Sequence, residues 1–96
     1  SIVGYMTHNC DDSTARQAHH DGWEVELLHD ASGSLPYRNA IGAATAEEIH
    51  RVFTVVMHTG FAAVVGTDEW LAAVQRGEAL QPDNVFLSNQ RAVTAG

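Results

Sequence analysis

Apolar residues recur at intervals of three and four between positions 46 and 59. Ile49, Val52, Phe53, Val56 and Met57 fall on one face of a helix. Thr45 and Glu48 have the spacing of a capping box, Glu47 and Glu48 complement the positive end of the helix dipole, and Gly60 supplies a stop. The pattern predicts a helix over 46–59. The five apolar residues 61–65 lie between glycines and read as a buried strand. Thr67 then reads as the N-cap of a second helix over 68–76. Asp68 and Glu69 stand in its first turn, Trp70, Leu71 and Val74 face inward, and Gly77 ends it. Residues 85–87 read as a last short strand and the tail from Ser88 as frayed.

The first third is patterned differently. Residues 2–6 read as a strand, and Asp12 or Ser13 as the cap of a short helix ending near Gly22. From Trp23 to His29 the alternation sets Trp23, Val25 and Leu27 against Glu24 and Glu26, the signature of a strand with one wet face. Residues 34–42 could return as a hairpin partner, with Pro36 restricting them to an edge. Helices interspersed among short strands predict one α+β domain over 1–96. The expected form is a small two-layer sandwich of about four strands with two or three helices on one face. Its open face would then need solvent or a second copy of the chain, hence an expected homodimer.

Composition narrows the functions. Twelve acids stand against five bases for a formal charge of −7, and all five bases are dispersed arginines. Phosphate-backbone binding depends on clustered positive charge, so neither nucleic acid nor an anionic membrane surface is an expected partner. With no lysine there is no Schiff-base chemistry and no Walker-type phosphate loop. The opening residues lack the cationic flank and apolar run of a secretion leader. The single cysteine, Cys10, cannot form an internal disulfide, so a reducing, cytoplasmic setting is the expectation.

Six histidines are the unusual feature. His8, Cys10, His19 and His20 are the right donor types for zinc, nickel or copper, but their spacing matches no recognised ligand pattern. The bland reading is a set of surface histidines. His50 and His58 share a helix face about 12 Å apart, too far for one metal. That face points away from the apolar stripe and reads as solvated; were it to meet a sheet or a partner, His58 would become a pH-sensitive contact. Cys10 at a helix start beside His8 has the makings of a nucleophile, but the two aspartates after it disfavour a thiolate. Glu24 and Glu26 read as solvated carboxylates rather than an acid–base pair.

Among the large aromatics, Trp23 and Trp70 are expected first as core, with a share in any interface. Tyr37 beside Arg38 is the best loop candidate for a binding contact. The sequence reading is therefore an acidic, non-catalytic, homodimeric binding or interaction module with no cofactor. It would hold a protein partner or a small neutral or cationic organic ligand through Tyr37, Arg38, Trp23, Trp70 and His58. The alternative is a small histidine-dependent enzyme, with or without a metal, that uses the amino-terminal His/Cys/Asp cluster.

Overall fold

A computed structural model describes residues 1–95. Three short strands form a parallel sheet: β1 (Ile2–Tyr5), β2 (Glu26–Gly33) and β5 (Ala63–Val65), in the order β1-β2-β5. The register pairs Glu26 with Ala63 and Leu28 with Val65 on one side of β2. On the other side Ile2 pairs with Leu27, but Gly4 pairs with Ser32, so the register shifts between them. A two-stranded antiparallel hairpin, β3 (Tyr37–Asn39) and β4 (Gly42–Ala44), stands beside this sheet. Its turn is fixed by Asn39, whose side-chain Oδ1 accepts from the Ile41 N–H at 3.0 Å.

Four helices complete the α+β fold: α1 (Asp12–His20), α2 (Ala46–His58), α3 (Thr67–Arg76) and α4 (Val85–Ala95). A π-helical turn, Thr7–Asp11, runs directly into α1. The capping box of α2 forms as expected, with the Glu48 N–H donating to Thr45 Oγ1 at 3.1 Å and the Thr45 N–H to Glu48 Oε1 at 2.9 Å. The Thr45 N–H, and secondarily the Thr45 hydroxyl, hold the Glu48 carboxyl below its usual range. Ala15 of α1, Leu27 of β2, Met57 of α2 and Ala62 are buried together, and Ile2, Val25, Phe53, Phe61 and Val64 pack around them.

Several expected elements are displaced, each for a local reason. The strand expected over 23–29 begins at Glu26, because the Trp23 N–H donates to the Ala18 carbonyl at 3.0 Å and belongs to the end of α1. Trp23 is consequently 71% exposed instead of core. The hairpin residues pair with each other and not with β2. Helix α3 is capped by Gly66, while the Thr67 hydroxyl and N–H both donate to Asp30 of β2 at 2.7 and 3.0 Å. That pairing holds the Asp30 carboxyl below its usual range, the Thr67 hydroxyl being the larger cause. Leu71 and Val74 of α3 are exposed and Ala73 is the buried residue. The strand expected at 85–87 is the first turn of α4, which Asn84 caps by accepting from the Leu87 N–H at 2.8 Å.

The layering also differs from a single helical face. Side chains alternate across a strand, and Leu27 meets α1 and α2 while Glu26 and Asp30 meet Trp70 and Thr67 of α3. Helices therefore flank β2 on both sides, as a parallel sheet requires. Among the described residues no helix is long and apolar enough to cross a membrane.

Candidate active site

All three strands of the main sheet are parallel, so their carboxyl ends lie on one edge, where open parallel sheets place their ligands. The turn Thr7–Asp11 leaves the end of β1, and Ser34 and Tyr37 follow the end of β2. His8 joins the two segments. Its Nε2 lies 2.8 Å from the Tyr37 hydroxyl, its Nδ1 lies 3.2 Å from Ser34 Oγ, and its ring meets Phe53 of α2 edge-on at 5.8 Å. Tyr37 and Arg38 are both exposed on β3 and line a shallow groove with Pro36 and Glu48.

Cys10 is the exposed tip of the π-helical turn, and its root is dry: Thr7 is fully buried. Asp11 and Asp12, which follow Cys10 in the chain, turn inward and are buried. Asp12 is held by Arg16, whose Nε donates at 2.8 Å and whose guanidinium lies 4.4 Å above the Phe61 ring. The two acids that weighed against Cys10 in the sequence are thus buried, whereas the sulfur is exposed.

The other sequence candidates lie elsewhere. Trp23 and His19 line a cleft of about 290 Å³ with Val25, Phe61 and Pro82, at the amino ends of β2 and β5. His20 is exposed at the end of α1. His8, Cys10, His19 and His20 are not brought together. Among the described residues no group of three or more His, Cys, Asp or Glu side chains could hold a metal ion. Trp70 is half-buried and donates from Nε1 to Glu26 Oε1 at 3.3 Å. His58 accepts from the Val64 N–H at 3.0 Å through Nδ1, so the face expected to be solvated meets β5.

His50 shares that inward face. Its Nδ1 lies 2.6 Å from Thr7 Oγ1 and its Nε2 lies 2.9 Å from the His29 carbonyl oxygen. Val52 and Val56, assigned to the core by periodicity, are 48% and 42% exposed. Helix α2 is rotated so that Ile49, His50, Phe53, Thr54 and Met57 face the sheet side. Sequence reasoning missed Thr7, Ser34 and His50. Only the HisxxxThr spacing on α2 hinted at a second, polar stripe.

No protein-family model and no curated protein matches the chain. Solved structures do. Over 98% of its length the chain is similar, at 58% identity and a TM-score of 0.95, to a proposed isochorismatase from Burkholderia xenovorans. A second likeness, at 34% identity and a TM-score of 0.71 over 74% of the chain, is to a proposed isochorismatase hydrolase from Oleispira antarctica. The chain is similar to part of a proposed hydrolase. It spans 45% of the first neighbour and 38% of the second. These likenesses correct the expectation of a non-catalytic binding or interaction module of unknown function. They agree better with the alternative, an enzyme that uses the amino-terminal His/Cys/Asp segment.

Proposed function

We propose that this chain forms part of a hydrolase of the isochorismatase type and that Cys10 is its nucleophile. The observation that carries the reading is the presentation of Cys10. It is an exposed sulfur on a turn with a buried root, at the carboxyl edge of a parallel sheet, in a chain similar to proposed hydrolases. In this reading the sulfur attacks an electrophilic carbon of the substrate, and a carbon–sulfur bond forms as the leaving group departs with a proton. Water then cleaves that bond, releasing the second product and returning the thiol. Cys10 belongs to the first turn of the helical run 7–20, where backbone N–H groups favour negative charge developing on the bound substrate. His8 serves as a wall of the site, because both its ring nitrogens are engaged by Tyr37 and Ser34.

The test is hydrolysis of isochorismate, with other small hydrolase substrates in parallel, by the wild-type protein and Cys10→Ala. The expected outcome is a fall in kcat of about 10³-fold or more with an unchanged circular dichroism spectrum. Hydrolysis retained by Cys10→Ala would overturn the reading.

A further inference from the structure

Thr7 Oγ1 lies 2.9 Å from the Gly33 carbonyl oxygen and 2.6 Å from His50 Nδ1, while His50 Nε2 lies 2.9 Å from the His29 carbonyl oxygen. Carbonyl oxygens only accept. The His29 carbonyl therefore requires a hydrogen on Nε2, and the Gly33 carbonyl takes the single hydrogen of the Thr7 hydroxyl. Thr7 Oγ1 can then meet Nδ1 only as an acceptor, which places a hydrogen on Nδ1 as well. All three contacts are filled together only when both ring nitrogens carry hydrogen. With one ring hydrogen, one contact becomes two facing lone pairs, a costly arrangement around a fully buried side chain.

We propose that His50, with hydrogen on both ring nitrogens, is a positioning residue that fixes the Cys10 turn through the hydroxyl of Thr7. This rests on the assignment of Cys10 as nucleophile. Thr7 is the first residue of the turn and Cys10 the fourth. The backbone leaves Thr7 through hydrogen bonds to the Met6 carbonyl from the Asn9 and Asp11 N–H groups, at 3.1 and 3.2 Å. Anchoring Thr7 therefore sets the direction in which the turn presents the sulfur. The anchor ties three elements at one point: the turn after β1, the His29 and Gly33 carbonyls of β2, and His50 of α2. Thr54 lies one turn further along α2 and donates its hydroxyl to the His50 carbonyl at 2.8 Å. Small misplacements of a reacting group are costly, on the order of 10²-fold for about 1 Å. A fixed turn is what a thiol site gains from this arrangement.

The experiment compares the wild-type full chain with Thr7→Val, Thr7→Ser and His50→Gln. Two readouts follow: imidazole N–H resonances of His50 by ¹⁵N-resolved NMR, and the rate of Cys10 alkylation by iodoacetamide. The wild type should show two exchange-protected ring N–H signals. Thr7→Val, nearly the same shape without the hydroxyl, should lose protection at Nδ1 alone and slow alkylation about threefold or more. Thr7→Ser should restore both readouts, and His50→Gln should slow alkylation with Thr7 intact. A single ring N–H in the wild type, or alkylation unchanged or faster in Thr7→Val and His50→Gln that hold the native spectrum, would overturn the proposal. Should Cys10→Ala retain hydrolysis, the nucleophile assignment fails. The NMR and alkylation readouts would still decide whether the clamp orients the turn, since neither depends on substrate.

Discussion

The turn that carries Cys10 and the helix α4 invert the usual distribution of polarity in opposite directions. Around the turn, which carries an exposed cysteine, Thr7, Asp11 and Asp12 are buried, and polar groups of three elements meet at Thr7. Along α4, Val85, Phe86 and Val93 are 67%, 72% and 71% exposed, and the helix is held by polar contacts at its start. The Asp83 N–H donates to the His58 carbonyl at 2.7 Å, and the Asp83 carboxylate accepts from Ser88 and twice from Arg91. Burying polar groups is costly unless they find partners; Thr7 finds them in the sheet and α2, whereas one carboxylate oxygen each of Asp11 and Asp12 has none. Helix α4 has a cap, an ion pair and little packing, and should open independently of the core.

The largest effect expected from this contrast is at Met57, which is fully buried against Leu27 and Ala15. Met57→Ala should lower stability by about 2–5 kcal/mol in chemical denaturation. A loss below about 1 kcal/mol would show that the core does not carry the fold. Next come the two helix caps. Thr45→Ala should cost about 1 kcal/mol of global stability. Asn84→Ala, which removes an equivalent cap from α4, should instead reduce helical circular dichroism while leaving the main transition in place. Equal shifts of the main transition would unite the two regions in one cooperative unit.

Acid should separate them further. Arg91, and secondarily the Ser88 hydroxyl, hold the Asp83 carboxyl far below its usual range, and Asp83 in turn raises the Arg91 guanidinium. A depressed carboxyl contributes stability that is fully present above its unfolded pKa of about 3.9. That contribution is lost as the pH falls through the folded value. Amide shifts across α4 should therefore hold steady down to about pH 4 and move below it. Movement already near neutral pH would remove the Asp83–Arg91 anchor as the cause. The smallest effect is expected at Phe86: Phe86→Ala should change stability by less than about 0.5 kcal/mol.

Much of this fold was legible where the signal is local. The Thr45–Glu48 box and Gly60 gave α2 nearly to the residue, because a capping box is complete within four positions. The rotation of α2 was not legible. Val52 and Val56 outrank His50 and Thr54 in hydropathy, and the partners that draw His50 inward lie 21 and 43 residues away in the chain. The same limit hid the site. Cys10 was set aside for its two acidic neighbours, yet adjacency in sequence placed them on the buried side of the turn. At the other end, Val85, Phe86 and Leu87 are too short a run to distinguish strand from helix, and Asn84 just before them held the deciding information as a cap.

The interrupted pairing of β1 with β2 acquires a purpose when its neighbours are counted. Two steps along β1, from Ile2 to Gly4, correspond to five along β2, from Leu27 to Ser32, and the slack is taken up by Ser32 donating its hydroxyl to the Leu28 carbonyl at 3.0 Å. Within that slack stand His29 and Asp30, one giving its carbonyl to α2 and the other its carboxylate to α3. An unbroken ladder would leave less of β2 to spare for those helices. The irregular stretch therefore works as a hub: a strand that gives up regularity toward one neighbour fastens a helix on each of its faces.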